Sequence, residues 1–481
     1  MKNITRYNQE HFRFILFFMV ATASIVGSCK KLVEVNPPDT SINSGNVYAN
    51  DATAIAAVTE IYASISRADI QSGGIASLNL FPSLSSDELS LYSAVTNSSA
   101  NYYYKNAISS INLNNHDFWT DFYKTISITN AAMEGLSTST KLTGAVKNQL
   151  LGEVKFMRAF CYFYLVNLYG DAPLILTTDY KANSVVKRTP KADVYRQVVT
   201  DLKDAQSLLS SNYLDASLLD ATIEKLRPTK WAATALLARV YLYNSDYSNT
   251  LTESSKIINS GVFSLPVLSE VFKMNSAEAI WQLQPVNGGW NTEDAKAFIL
   301  PSNGPDATSH PFYLSNQLLN SFEANDQREA NWINKLTVGS DTFYYPYKYK
   351  NATYNSAVTE YEMVFRLAEQ YLIRAEAEAQ LNQFKESRND LNAIRTRAAL
   401  LGTSANDKNS LLTAILHERQ VELFTEWGHR WFDLKRTGNI DVVMSVVTLL
   451  KGGTWNTNWQ WYPISRIELE LNNKLTQNEG Y

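Results

Sequence analysis

Apolar positions along this chain follow the helical period. Between residues 146 and 169, Leu150, Val154, Met157, Cys161, Leu165 and Leu168 recur at spacings of three and four, which places them on one face of an α-helix. Phe156, Phe160, Phe163 and Tyr164 cover the other faces, so this helix is predicted to be buried nearly all round. Gly170 and Pro173 end it, because glycine accommodates the closing turn and proline cannot continue a helix. A second stripe, Val364, Leu367, Ala368, Tyr371, Leu372, Ala375 and Ala379, predicts a helix over 361–380. The same period predicts helices near 52–67, 117–135, 191–210, 229–243, 247–259, 384–399 and 408–426.

Three of these helices share a local pattern: Arg158-Ala159-Phe160-Cys161-Tyr162, Leu237-Ala238-Arg239-Val240-Tyr241 and Arg374-Ala375-Glu376-Ala377-Glu378. A small residue lets a second helix approach, and a large one packs beside it. After the latter two come a short turn and another helix, at Asn244-Ser245-Asp246-Tyr247 and Asn382-Gln383-Phe384. This resembles tetratricopeptide helix pairs. The spacing is not constant, so a scaffold of stacked hairpins is expected rather than a plain tandem array. Two regions break the rhythm. Residues 70–115 are rich in Ser, Asn, Gly and Tyr, and residues 281–360 hold Gly288-Gly289, Pro301, Gly304, Pro305 and Pro311 among many aromatics. Long irregular segments in a compact protein are functional or disordered, and high aromatic content argues against disorder. Short strands are expected near Ile280-Trp281-Gln282-Leu283 and Thr342-Phe343-Tyr344-Tyr345. The fold is therefore read as mainly α, one domain over 46–481, with a helical scaffold at 46–280 and 361–481 and a loop-rich insertion at 281–360.

The first residues have another purpose. Lys2, Arg6 and Arg13 precede an apolar stretch from Phe14 to Ala21 that runs on to Gly27. A basic start, a short apolar stretch and small residues make a secretory signal, here 1–28. The stretch is too short to span a bilayer comfortably. It ends in Val26-Gly27-Ser28-Cys29, similar to a lipobox, in which cleavage leaves the cysteine first and its thiol acylated. Each buried methylene of an acyl chain contributes about 0.8 kcal/mol, so several chains anchor firmly where one holds weakly. Residues 29–45, with Pro37-Pro38, read as an extended tether. Acids that often follow the cysteine in surface-exposed lipoproteins arrive late, at Glu34 and Asp39. The only other cysteine, Cys161, lies in an apolar helix, so no disulfide framework exists and a buried inert thiol is expected.

Net charge is −4 over 481 residues, and removing 1–28 makes the chain more acidic still. No broad basic surface invites nucleic acid. His417-Glu418-Arg419-Gln420-Val421 begins like a zinc-protease motif but lacks the second histidine. Neither a G-x-S-x-G elbow nor a P-loop occurs. Ion pairing and packing are the expected roles of His417 and His429, beside Glu418, Arg419, Glu422, Glu426 and Arg430. A glycosidase needs only two carboxylates. The adjacent acids Glu293 and Asp294 fall in a loop, where solvated charges are the usual outcome. The chain is read as a non-enzyme, with no cofactor or metal site.

Several segments together resemble the SusD/RagB family of outer-membrane nutrient-uptake lipoproteins. They are Cys29-Lys30-Lys31-Leu32-Val33-Glu34-Val35-Asn36-Pro37-Pro38, Arg158 to Leu174, Arg366 to Ala377, His417 to Leu423, Gly428 to Arg436, Tyr462-Pro463-Ile464 and Leu475 to Tyr481. Asn473 and Glu479 stand where the family's ending usually has proline. The resemblance implies a lipid-anchored outer-membrane protein, exposed at the cell surface. It would bind a nutrient glycan and act as a lid on a SusC-like TonB-dependent barrel. A peptide ligand in the same role, or a glycan-active hydrolase, are the alternatives. Loops in the two irregular regions line the ligand site in that family. A sugar presents flat C–H faces ringed by hydroxyls, which aromatic rings and Asn, Asp or Gln side chains suit. The first region offers Asp87, Tyr92, Asn97, Tyr102 and Tyr104, and the second Asn287, Trp290 and Tyr313. Trp290, after Gly288-Gly289 in a polar loop, is the foremost candidate. Of Tyr102, Tyr103 and Tyr104, at least one is expected to face the core, because side chains alternate along an extended segment. Trp455, Trp459 and Trp461 are expected to serve packing or partner contact.

Cys29→Ser is expected to abolish incorporation of a fatty-acid label into the protein in cells and release it from the membrane fraction. Undiminished labelling in that variant would place the anchor elsewhere.

Overall fold

Helices begin where a side chain can take up the unpaired N–H groups of the first turn. The structure is a computed structural model, and it describes residues 47–96, 98–112 and 118–481. The signal segment, Cys29, the tether and Asn97 lie outside the described residues. Helix α1 (Asp51–Arg67) starts at Asn50, whose side chain accepts from the Thr53 N–H at 3.0 Å. After α2 (Phe118–Thr138) comes α3 (Gly144–Tyr169), in which every residue from Phe156 to Tyr169 is buried. Then follow α4 (Lys191–Leu208), α5 (Lys230–Tyr243, capped by Thr229) and α6 (Tyr247–Ile258, capped by Asp246). The later helices are α7 (Leu367–Gln380), α8 (Phe384–Arg397), α9 (Lys408–Glu422, opened by an Asp407 capping box), α10 (His429–Arg436) and α11 (Ile440–Leu450). Helix α3 packs against α1, α2 and α4, while α5–α6 and α7–α8 form hairpins that stack through α6 on α7. Tyr48–Tyr481 make one compact unit. Among the described residues no helix is long and apolar enough to cross a membrane.

The shared sequence pattern has a physical use beyond small-to-large packing. Each of its arginines fastens the next layer. Arg158 on α3 grips Asp201 on α4 at 2.8 and 2.7 Å, and Arg239 on α5 grips Glu369 on α7 at 2.6 Å twice. Arg374 on α7 holds Asp390 on α8 at 2.5 and 2.8 Å. Bidentate guanidinium–carboxylate pairs fix orientation as well as distance, so they set the order in which the helices stack.

Short antiparallel ribbons close the helical layer: β1 (Leu89–Leu91) with β3 (Phe312–Leu314), β2 (Ala279–Leu283) with β6 (Glu362–Arg366), and β4 (Ile333–Val338) with β5 (Asp341–Pro346). Two expectations change here. Val364 belongs to β6, and α7 begins only at Leu367, because 363–365 pair with the wholly buried β2 and read as a continuous apolar run. Helix α9 stops at Glu422 rather than near 426, since Thr425 and Trp427 take positive φ values of 52° and 44°. Trp427 is held there by tertiary bonds, its N–H to Asn79 Oδ1 at 2.7 Å and its indole N–H to the Met363 carbonyl at 2.7 Å. The stretch 70–115 is also more regular than its composition implies, with helical turns at Ile75–Asn79, Phe81–Ser85 and Ser99–Tyr104.

Where β6 meets α7, Arg366 is fully buried among carboxylates. It bonds Glu278 at 2.9 Å, Glu422 at 2.5 Å and Glu426 at 2.8 Å. Lys348 joins through Glu426 at 2.5 Å, while Arg397 bonds Glu278 and Glu422, and Arg328 bonds Glu418 and Glu422. Burial alone would raise the Glu422 carboxyl, but Arg397, Arg366 and Arg328 hold it well below the usual carboxylate range. Arg366→Ala strands Glu278, Glu422 and Glu426 with less compensation than they need. It is expected to cost about 3–5 kcal/mol in denaturant unfolding, and a loss under about 1 kcal/mol would show that the network is slack.

Candidate functional site

The chain leaves β2 at Leu283, crosses a polar loop and re-enters regular structure at the short helix Glu293–Phe298, capped by Thr292. Gly289 makes this loop possible. Its φ is +87°, and a Cβ there would lie 2.5 Å from Cε2 of Tyr354. Tyr354 therefore lies against bare backbone, and the Asn355 N–H donates to the Gly289 carbonyl at 2.8 Å. The ring of Trp290 sits 5.2 Å from that of Tyr354, tilted by 53°. Trp290 is half-buried and Tyr354 is 59 % exposed, so both offer ring surface to solvent.

Polar bonds hold the loop from both sides. Asn291 is buried; its carbonyl oxygen accepts from the Thr359 and Glu360 N–H groups at 2.7 and 3.1 Å, and its amide donates to the Ala357 carbonyl. The Asn287 amide donates to Glu293 at 2.6 Å and to the Arg67 carbonyl at 3.1 Å. Beneath the loop, Asn79 donates to both oxygens of Asp294 at 3.1 and 3.0 Å and to Glu362 at 2.9 Å. The adjacent acids thus diverge: Asp294 points inward to Asn79, and Glu293, largely covered, pairs with Lys296 and Asn287 at the cleft edge.

Two open spaces flank the loop. One cleft, about 670 Å³, is bounded by Asp69, Gln71, Trp290, Glu293, Lys296 and His310 among others. The other, about 330 Å³, lies between α1 and the Leu283–Val286 stretch and includes Tyr62, Asp215, Glu224 and Arg227. Between them a pocket of about 30 Å³ is lined by Trp290, Asn79, Asp294 and Glu362. The last is room for about one water. Burial pushes the Asp294 and Glu362 carboxyls up; Glu293 and Glu426 raise Asp294 further, and Asp294 raises Glu362. Such a pair can share a proton, and paired carboxyls are the equipment of glycoside hydrolysis. A sugar ring does not fit the space beside this pair, so its role here is to tie segments together.

The remaining candidates divide. Tyr104 and Tyr313 meet in a second patch: Ser90 pairs with Tyr313 across the β1–β3 ladder, Tyr104 hydrogen-bonds the Ser90 side chain, and Phe343 packs edge-on to Tyr313 at 5.3 Å. Tyr92 borders it, its N–H donating to the Pro311 carbonyl at 2.8 Å. Tyr102 is half-buried. Asp87 is a correction: it is buried, and both oxygens accept from Arg430 at 2.7 Å, so the carboxylate is spent inside the fold. Of the three tyrosines, Tyr103 faces the core, stacked on Phe81 at 4.4 Å, but through a helical turn rather than extended alternation. Trp455 and Trp461 pack, the one edge-on to Trp431 and the other beneath Lys435. Sequence reasoning missed Asp69, Gln71, Lys296, His310 and Tyr354. Tyr354 lay within the aromatic-rich stretch already singled out. Asp69 and Gln71 follow α1, some 220 positions before Trp290, and only the fold joins them.

Residues 42–242 match the family model described as "Starch-binding associating with outer membrane", and residues 325–481 match that of the "SusD family". The chain belongs to the SusD/RagB family. SusD-like protein P25 of Formosa agariphila is 27 % identical, over 94 % of this chain and 97 % of its own length. Among solved structures, a SusD superfamily protein from Bacteroides vulgatus superposes with a TM-score of 0.76 at 22 % identity, over 90 % of this chain and 99 % of that one. A laminarin-binding SusD-like protein gives 0.75 at 24 % identity, over 90 % and 100 %. Within the SusD/RagB frame, the loop carrying Trp290 falls between the two matched segments.

Because Asp294 and Glu362 hold a proton above the ordinary carboxylate range, the unfolded chain gives up that proton first as pH rises. Stability from the pair is therefore present below about pH 4 and lost as pH climbs toward neutrality. Asp294→Asn removes one ionisation. Its melting temperature relative to wild type is expected to increase between pH 5 and pH 8, and a difference that stays flat would mean the pair is not protonated.

Proposed function

We propose that this protein is a non-catalytic receptor that binds a nutrient glycan across the cleft at Trp290. The observation that carries this reading is the Trp290 ring, backed by Tyr354 and set on the wall of a groove edged by Asp69, Gln71 and Glu293. Aromatic faces cover the C–H faces of a pyranose, and carboxylate and amide edges take its hydroxyls. A fold shared with a laminarin-binding SusD-like protein supports the ligand class. A surface glycan-binding protein from Bacteroides uniformis has the same fold, with a TM-score of 0.74.

Acylation at Cys29 holds the receptor on the outer membrane at the cell surface, with residues 29–45 as the lipidated tether. Its partner is a SusC-like TonB-dependent barrel, on which it opens to take ligand and closes to deliver it, a rigid-body hinge motion. The buried arginine–carboxylate layers suit such a motion, since they keep the scaffold stiff while it moves as one piece.

Removing a central stacking ring costs about 2 kcal/mol, about thirtyfold in affinity. Trp290→Ala is expected to weaken binding by that factor in calorimetric titration with the glycan the wild-type protein retains. Full affinity in Trp290→Ala combined with a loss in Tyr313→Ala would move the site to the β1–β3 patch.

A further inference from the structure

The charges around the cleft select among glycans, and this step rests on the reading of the Trp290 cleft as the glycan site. Among the described residues lining it, Lys296 and His310 are the side chains that can carry positive charge. Neither is free. Lys296 Nζ lies 2.9 Å from Glu293 and 3.7 Å from Asp69. His310 Nδ1 lies 3.3 Å from Asp306, whose carboxylate also accepts from the Thr308 and Ser309 N–H groups. One lysine therefore faces two carboxylates, and the balance at the Trp290 wall is negative.

The space on the far side of the loop repeats the arrangement with different residues. Asp215 and Glu224 line it, and its one cation among the described residues, Arg227, is committed to Glu153 at 2.8 Å and to the Thr59 hydroxyl. At the end of α1, between the two spaces, Arg67 pairs with Glu60 at 2.9 Å. The small pocket at Trp290 separates the two spaces and shares Glu293 with one and Ser66, Leu283 and Val286 with the other. A glycan entering either space meets carboxylates and, among the described residues lining it, no unclaimed cation.

We infer that the protein takes uncharged polysaccharides and rejects those bearing sulfate or uronate groups. A sulfate or carboxylate on the ligand would lie against Asp69 or Glu293 with no guanidinium or ammonium left to neutralise it, and like charges brought close in a partly desolvated groove repel. Hydroxyls face the opposite situation, because carboxylates, an amide and the backbone offer them acceptors at every turn.

The test compares the purified protein on laminarin, which is neutral, with alginate and carrageenan, which carry uronate and sulfate. Binding of the neutral glycan is expected to be insensitive to salt and at least about tenfold tighter than that of either polyanion, a gap of about 1.4 kcal/mol. In the Asp69→Asn, Glu293→Gln double variant the ratio of the two affinities is expected to shrink at least about threefold. Polyanion binding as tight as that of neutral glycans, weakened by salt and lost in Trp290→Ala, would overturn the charge selection while leaving the cleft as the glycan site. Failure to bind any glycan would overturn both.

Discussion

The side-chain amide of Asn79 meets three distant parts of the chain at once. Its nitrogen donates to Asp294 under the site loop and to Glu362 on β6, and its oxygen accepts from the backbone of Trp427. Asn79 is buried, so each of these bonds is made where a missing partner would be costly. An amide can serve here because it donates and accepts through one rigid plane, and because the two carboxyls it faces are raised by burial and need not both be charged. Trp427 in turn gives up helical geometry to reach Asn79 and Met363, which is why α9 ends where it does. The loop bearing Trp290 is thus fixed from below before any ligand arrives.

A second, harder layer lies behind that amide. Arg366 sits at the junction of β6 and α7, and β6 is the partner strand of β2, from which the site loop departs. The arginine layers between successive helices and the Arg366 cluster together make the scaffold stiff without relying on apolar contact alone. Buried ion pairs are weak evidence for stability, since their desolvation is expensive. Their use here is geometric: each bidentate pair permits one relative orientation of two helices, so the ribbon carrying the site is placed with little play.

Much of this was legible in the chain. The helical period located α3, α5, α6 and α8 to within a residue or two at most ends, because their apolar stripes are long and their caps are local. Trp290 stood out as a large ring after two glycines in polar surroundings, and it lies on the wall of a cleft. What stayed hidden depended on contacts between remote segments. Val364 fits a helical stripe and a buried strand equally well, and only pairing with β2 decides. Asp87 reads as a ligand-binding acid until Arg430, some 343 positions later, is brought against it. Asp69 and Gln71 carry no mark of a binding site, since what gives them that position is the fold of the loop that follows β2.

In the proposed function the Trp290 groove is a preformed surface rather than one assembled by its ligand. The most direct measurement is a crystal structure of the protein with a neutral oligosaccharide bound. It should show a pyranose face lying on the Trp290 ring, within reach of Asp69, Gln71 or Glu293, with the backbone from 284 to 293 unmoved. Sugar density elsewhere on the molecule with Trp290 bare, or a loop rebuilt around the ligand with the Asn79–Asp294 bond broken, would contradict it.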